Sequence, residues 1–193
     1  MKRYAVALIA TICLVEPALA QQDLDSAMSA YQRQDYATAM RLWERRCTSS
    51  DAMGCAFLGF LYLNGEGVRR DPRRAQGLLV RGCRGYEVGG QHQFNVAGCL
   101  LAGQLSLGEN GGERDLEDAR EFFGRVCTSN GPANHVNEGC YQHALLLRDG
   151  QGGPRDVVQA SIQLAALCNR NFAPACTALD TIAERGGGGR GKP

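Results

Sequence analysis

The spacing of the cysteines constrains this chain more than any other feature. Three pairs are each separated by 28 positions: Cys55 and Cys83, Cys99 and Cys127, and Cys140 and Cys168. The gaps between successive pairs differ in length. A constant stretch with variable connections predicts a repeated unit whose length is set by its fold and whose connections are loops. The shortest period, 36 residues from Cys47 to Cys83, is typical of stacked helical hairpins.

Other residues recur when the three stretches are aligned on their first cysteine. They are Leu61, Leu105 and Leu146; Gly67, Gly111 and Gly152; Arg70, Arg114 and Arg155; Asp71, Asp115 and Asp156; and Ala75, Ala119 and Ala160. We interpret each stretch as a helix A, a glycine-containing turn and a helix B. The recurring aspartate is the predicted N-cap of helix B, because its carboxylate accepts hydrogen bonds from backbone N–H groups. Asp35 holds the same position in an upstream half-repeat.

These patterns predict an all-α fold, an α-solenoid of helical hairpins. Its domain covers residues 21–185, with a half-repeat at 23–47, repeats at about 48–83, 84–127 and 128–168, and a capping helix at 169–185. Trp43 and, on the later B helices, Ile162 and Leu164 are expected to face neighbouring helices. The glycine-rich tail at 186–193 is expected to be disordered.

Residues 1–20 have the pattern of a secretory signal peptide. Lys2 and Arg3 precede an apolar stretch too short to span a bilayer, and Ala18 and Ala20 form a small-residue cleavage site. Export predicts a periplasmic or secreted protein that is not embedded in a membrane. The oxidising compartment permits disulfides.

Removal of this segment leaves eight cysteines. Because helix B ends at one cysteine and the next helix A begins near another, the 28-residue periodicity predicts local pairing. The predicted pairs are Cys47 with Cys55, Cys83 with Cys99, Cys127 with Cys140, and Cys168 with Cys176. Bridges of this kind join successive repeats.

The segment from Ala52 to Ala75 reads AMGCAFLGFLYLNGEGVRRDPRRA and resembles a Sel1-like repeat, a relative of the tetratricopeptide repeat. Leu58, Gly59 and Tyr62 occupy positions of that family's pattern, and the cysteines eight apart are similar to those of the Helicobacter cysteine-rich proteins. The resemblance implies a right-handed superhelix whose concave side, lined mainly by A helices, binds protein partners. It also implies an alternative, because some cysteine-rich members are described as penicillin-binding or weakly β-lactamase-like.

The two longest connections between repeats are the candidate recognition loops. A polar and aromatic loop held at both ends by a disulfide can present a binding surface. The candidate partner-binding residues are Tyr86, His92, Phe94, Asn95 and Asn134. A tolerated insertion explains the extra length equally well.

Catalytic and metal-binding patterns are missing from the sequence. A serine β-lactamase needs a Ser-x-x-Lys pair, but the only lysines are Lys2 and Lys192. His92, His135 and His143 form no ligand cluster, and His143 alone is placed firmly on a helix. We therefore predict no metal and no cofactor.

Nucleic-acid binding is not expected either. Without Lys2, Arg3 and Glu16 the chain has 19 basic and 19 acidic residues, whereas a nucleic-acid-binding protein presents a basic stripe. We expect an exported protein-interaction scaffold without catalysis, with β-lactam binding or hydrolysis as the alternative. The partner and the oligomeric state stay open.

Overall fold

The computed structural model describes residues 24–88, 91–93 and 95–187, which form helices joined by short connections. The elements are α1 (24–32), α2 (Tyr36–Thr48), α3 (Ala52–Asn64), α4 (Pro72–Arg84), β1 (Tyr86–Val88), β2 (Gln91–Gln93), α5 (Val96–Ser106), a 3-10 turn (Glu109–Gly111), α6 (Leu116–Cys127), α7 (Ala133–Asp149), α8 (Val157–Cys168) and α9 (Ala173–Gly187). The odd-numbered helices are the A helices, and the even-numbered helices are the B helices.

The helices pack as a linear array. Each helix from α2 to α9 contacts the next one along the chain, and α3 contacts α5 while α5 contacts α7. The A helices of successive repeats therefore lie side by side, as in a solenoid. The predicted all-α solenoid is confirmed.

An aspartate lies at the N-cap of every B helix. Its side chain accepts a hydrogen bond from a backbone N–H three residues on: Asp35 from Thr38 (3.2 Å), Asp71 from Arg74 (3.0 Å), Asp115 from Asp118 (3.0 Å) and Asp156 from Gln159 (2.9 Å). In the three full repeats the aspartate also donates its own N–H to a carbonyl near the end of helix A, at 2.8 to 2.9 Å. The recurring residue therefore starts helix B and fixes it against helix A.

Four disulfides join consecutive hairpins, as the sequence predicts. They are Cys47–Cys55, Cys83–Cys99, Cys127–Cys140 and Cys168–Cys176. Each joins the end of a B helix to the N-terminal half of the next A helix, with Cα atoms 4.4 to 4.8 Å apart. Glycine precedes the A-helix cysteine in the three full repeats, and a Cβ on Gly139 would lie 2.4 Å from Cγ1 of Val126. The close crossing therefore requires a small residue there.

The core consists of two hydrophobic clusters. The first extends from α1 to α7 and contains Trp43, which is fully buried as expected. The second is built from α7, α8 and α9. Helix α7 contributes Leu146 to the first cluster and Ala144 and Leu147 to the second, so the two clusters meet at this helix.

The connection between Cys83 and Cys99, expected to be a loop, contains a small β-hairpin. Strands β1 and β2 pair antiparallel, with Glu87 opposite His92. Tyr86 and Val88 favour extended backbone, and a Gly-Gly sequence between two short strands is typical of hairpins. The insertion therefore has a local fold of its own.

The connection after Cys127 is shorter than the cysteine spacing suggests. Helix α7 begins at Ala133, directly after Pro132, so His135, which the sequence does not place firmly on a helix, lies within α7. Pro132 has a φ of −55° and serves as the N-cap, and no further proline follows until the helix ends. The extra residues therefore lengthen helix A.

Ile162 corrects the predicted packing of the last B helix. Its side chain is 58% exposed, although we expected it to face a neighbouring helix. Leu164, in contrast, is fully buried. Ile162 aligns with Gly77 and Glu121, which lie on the outer face of the earlier B helices, so its position in the repeat overrides its hydrophobicity.

The two ends of the chain extend beyond the described residues. The predicted signal peptide lies outside the described residues. Helix α9 includes Gly186 and Gly187, the first residues of the tail for which we expect disorder, and residues 188–193 also lie outside the description. Among the described residues, no helix combines the length and the apolar character needed to cross a membrane.

Candidate functional site

An apolar cleft of about 430 Å³ lies between the A helices. It is lined by Tyr31 of α1; Ala56, Phe57 and Phe60 of α3; Ala97, Gly98, Leu100 and Leu101 of α5, with the N-cap Asn95; Leu79 of α4; and His135 of α7. Four consecutive A helices thus contribute to one depression. Its volume is within the range of ligand-binding sites.

The aromatic side of the cleft is held by ring contacts. Phe57 stacks on the buried Trp43, with ring centroids 4.6 Å apart. Tyr31 meets Phe60 edge to face, with centroids 6.5 Å apart. Aromatic rings held by packing provide apolar contact area with little loss of side-chain entropy on binding. This side of the cleft is therefore prepared for an apolar group.

The polar groups of the cleft are few, and two of them are already engaged. Oδ1 of Asn95 accepts a hydrogen bond from the N–H of Gly98 (2.7 Å) and caps α5. Burial raises the pKa of Tyr31, and a hydrogen bond to Glu66 raises it further. The phenol is therefore neutral at physiological pH.

His135, which lines the cleft, has one polar atom without a partner. Nδ1 is buried and has no hydrogen-bond partner among the described residues. A buried polar atom without a partner is unfavourable.

The residues predicted for partner binding are only partly brought together. Asn95 lines the cleft, whereas Asn134 is exposed on α7 beside His135 without lining it. Tyr86 and His92 lie on the hairpin strands, with side chains outside the description, and Phe94 is outside it entirely. Their role in binding stays a prediction.

Sequence reasoning missed most of the cleft. Tyr31 and His135 are more than one hundred positions apart, and no local pattern relates them. A weak signal exists on α3, where 9 of 13 residues are buried and the helix is apolar around its whole circumference. A helix that is apolar all round is normally covered on every side. A part of its surface that no neighbouring helix covers therefore indicates a groove.

No metal centre is formed by the part of the chain that the structure describes, since it holds no group of three His, Cys, Asp or Glu side chains suited to a metal ion. His143 faces α8 instead, with Nδ1 3.1 Å from Oε1 of Gln163. Burial lowers the pKa of His143, so its ring is neutral near pH 7. A packing role accounts for this histidine.

Comparison with protein families decides the classification. The model described as "Sel1 repeat" matches residues 52–85, 93–128 and 137–164. The chain belongs to the Sel1 repeat family. The matched segments coincide with α3–α4, α5–α6 and most of α7–α8, so the hairpins defined by cysteine spacing are Sel1 repeats. Phe57, Phe60 and Leu101 lie within them, whereas Tyr31 and His135 lie outside.

Individual proteins are also similar to this chain, one in sequence and two in structure. Beta-lactamase HcpA of Helicobacter pylori is 30% identical over 76 residues, which covers 37% of this chain and 30% of HcpA. A crystal structure of a Sel1 repeat protein from Oxalobacter formigenes superposes with a TM-score of 0.60 at 20% identity, covering 78% of this chain and 40% of that one.

A second crystal structure agrees with the first. It is c5321, a protective antigen present in uropathogenic Escherichia coli strains that displays an SLR fold, with a TM-score of 0.54, 20% identity and coverage of 77% of this chain and 29% of its own. These two structures show the fold alone. The present chain spans less than half the length of each of the three proteins.

Proposed function

We propose that this chain is an exported scaffold that binds partner proteins in the apolar cleft, without catalysis of its own. The observation that carries the proposal is the convergence of four A helices on one preformed, mostly apolar depression. Sel1 repeats are typical of protein-interaction scaffolds. Protein interfaces are centred on well-packed apolar and aromatic contacts surrounded by polar groups, and the cleft has this composition.

The four disulfides support a location outside the cytosol. Structural disulfides persist in oxidising compartments and are rare where thiols are kept reduced, and all eight cysteines of the described chain are paired. The similarity to HcpA is in line with this location. Fractionation of cells that produce the full chain, with thiol counting in each fraction, tests the location.

Site-specific photo-crosslinking tests the binding proposal. A benzophenone amino acid replaces Phe60 in the cleft and, as a control, Val158 on α8, whose side chain is 72% exposed. After irradiation of intact cells, we expect a discrete protein adduct from position 60 that is missing from position 158. Identical adducts at both positions, or none at either, reject the cleft as the binding site.

A second candidate is β-lactam binding or hydrolysis, favoured by the similarity to a protein named as a β-lactamase. The apolar cleft would then accept the drug, with His135 as one of the polar residues that line it. A chromogenic cephalosporin assay on purified oxidised protein separates the two candidates. A rate above that of buffer, abolished by His135→Ala, would favour the enzyme, and a rate equal to buffer would remove it.

A further inference from the structure

The apolar cleft continues into two neighbouring depressions. Phe60 and Leu101 line both the cleft and a second depression of about 410 Å³, which also contains Asn64, Arg70 and Asn110. Arg70 in turn lines a third depression of about 550 Å³ at the start of α4. The shared residues place the three depressions next to one another, and we treat them as one surface that leads from the apolar cleft to the turn between α3 and α4.

The far end of this surface is strongly basic. Arg69, Arg70, Arg73 and Arg74 line the third depression, and all four are exposed; we call them the arginine cluster. The one carboxylate among the lining residues is Asp71. Its Oδ1 already accepts the N–H of Arg74 at 3.0 Å as the cap of α4, so the cluster has a positive excess.

Two of the arginines are held in place by other groups. Arg70 donates from Nε to the carbonyl oxygen of Leu63 (3.0 Å) and from Nη2 to that of Asn110. The guanidinium of Arg74 lies 4.2 Å from the centre of the Tyr62 ring. An arginine has five N–H donors, so both retain donors for an anion. A positioned guanidinium loses less entropy when it binds a carboxylate.

The middle of the surface presents two amides. Asn64 ends α3 and Asn110 lies in the turn after α5, and both are exposed. An asparagine side chain both donates and accepts hydrogen bonds, which matches the alternating N–H and C=O groups of an extended polypeptide. Polyanionic sugars offer no apolar side chain for the cleft, and the balance of 19 basic and 19 acidic residues outside residues 1–20 is not that of a nucleic-acid-binding protein. The combination of parts therefore favours a peptide.

We infer that this surface binds an extended segment of a partner protein that places a large apolar side chain in the cleft and acidic side chains on the arginine cluster. The inference rests on the proposed function and specifies the chemistry of the partner. The apolar contact provides most of the affinity. The arginine cluster selects acidic neighbours and accelerates association, and the positive excess disfavours basic segments.

A phage-displayed library of random peptides, selected on the full chain with oxidised cysteines, provides the test. We expect selected peptides to combine an aromatic or aliphatic anchor with acidic residues on one side of it. A synthetic peptide of the selected sequence should bind more weakly as salt rises from about 0.05 to 1 M, because exposed charges are screened.

Charge-reversal variants identify the surface. The double variant Arg69→Glu, Arg73→Glu should bind the selected peptide about tenfold more weakly, because neither side chain has an ion-pair partner in the described part of the chain. Arg41→Glu, an exposed position on α2 outside the surface, is the matched control and should leave binding unchanged. Phe60→Ser should abolish binding, whereas Val158→Ser should not.

The outcomes separate this inference from the proposed function. Peptides that depend on Phe60 but show no acidic bias and no response to Arg69→Glu, Arg73→Glu overturn the inference and leave the cleft as a binding site. Peptides whose binding is independent of Phe60 overturn both. Binding of an anionic polysaccharide in preference to any peptide also overturns the inference.

Discussion

At the scale of single residues, the glycine of each turn lies against the preceding repeat. A Cβ on Gly67 would lie 2.3 Å from Cβ of Tyr36, and one on Gly152 would lie 1.9 Å from the carbonyl oxygen of Leu116. Tyr36 and Leu116 are the first residues of the preceding B helices. The recurring glycine therefore marks an inter-repeat contact as well as a turn.

Gly152→Ala should be strongly destabilising. Gly152 has a φ of +68°, which costs a residue with a side chain about 1–2 kcal/mol, and the contact with Leu116 adds an overpacking penalty. We expect a loss of about 3 kcal/mol in the free energy of unfolding, measured in urea on oxidised protein.

Gly77→Ala is the matched control for this substitution. Gly77 lies within α4, is exposed, and has no atom within 4 Å of its would-be Cβ. Alanine there should stabilise the protein by about 0.5–1 kcal/mol through helix propensity. Equal stability of the two variants would contradict the role given to Gly152.

His143 makes the stability depend on pH. Burial lowers its pKa below the ordinary value of 6.5, and nearby Arg120 lowers it further, against a raising effect of the hydrogen bond with Gln163. The unfolded chain therefore binds a proton more readily than the folded chain. Stability is greatest above the unfolded pKa and falls as the pH drops through it.

The variant His143→Gln tests this dependence, since glutamine keeps an amide beside Gln163 but does not titrate. Between about pH 7.5 and about pH 5 the original protein should lose more unfolding free energy than the variant. Urea titrations of both proteins at both pH values give the difference between their losses of unfolding free energy. The contributions of the carboxylates cancel in this difference, because both proteins have the same carboxylates. Parallel losses would show that His143 is not responsible.

At the scale of helices, an arginine on each of the B helices α4 and α6 contacts the end of the previous B helix. Arg81 on α4 donates from Nη2 to the carbonyl oxygen of Cys47 at the end of α2 (3.0 Å). Arg125, its equivalent on α6, approaches the carbonyl oxygens of Cys83 and Arg84 at 3.5 Å. A cation at the C-terminus of a helix is favourable for the helix dipole. The third repeat has Ala166 at this position.

Arg81→Met should destabilise the first junction by about 1 kcal/mol, because methionine keeps an apolar stem but removes the donor. Arg41→Met, on the exposed face of α2, should stay within about 0.5 kcal/mol of the original protein. Thermal unfolding of both variants gives the comparison. If Arg41→Met lost as much stability as Arg81→Met, the effect would come from the removal of a positive charge and not from the contact with Cys47.

Helix order and disulfides were predictable because cysteines mark the outer ends of each hairpin and aspartates mark the start of each B helix. Both the cysteines and the aspartates are local sequence signals, and they recur in every repeat. Ile162 was mispredicted because α8 has apolar residues on both faces, so hydrophobicity alone does not choose the buried one. His135 could not be assigned to a helix from the sequence, because the same number of residues fits a loop or two further turns of helix.

The cleft was not predictable from local pattern. Its residues come from four helices, and the cavity exists only because side chains at those positions leave the space unfilled. The arginine cluster is visible in the sequence as Arg69 to Arg74, yet its relation to Phe60 depends on the turn that connects α3 to α4. Such a relation is set by the tertiary fold and not by the local sequence.

At the scale of the whole molecule, the two hydrophobic clusters are connected by α7 and by one disulfide. The Cys127–Cys140 bridge joins α6, whose Phe122 and Phe123 belong to the first cluster, to α7, which contributes to both. In a solenoid each repeat contacts only its neighbours, so cooperativity depends on every junction. This junction is the one where the apolar core changes from one cluster to the other.

Removing this bridge should therefore separate the unfolding of the two parts. In Cys127→Ser, Cys140→Ser we expect α8 and α9 to exchange amide hydrogens at lower denaturant than α3 to α6, with a loss of about 3 kcal/mol in the chain-entropy model. The control is Cys47→Ser, Cys55→Ser, which removes a bridge inside the first cluster at a loss of about 2.5 kcal/mol. Its cluster continues across the junction through Trp43 and Phe57, so the control should lower stability without splitting the transition. Hydrogen exchange followed by mass spectrometry resolves the two parts, and a single transition in the first variant would show that apolar packing through α7 alone is enough to couple them.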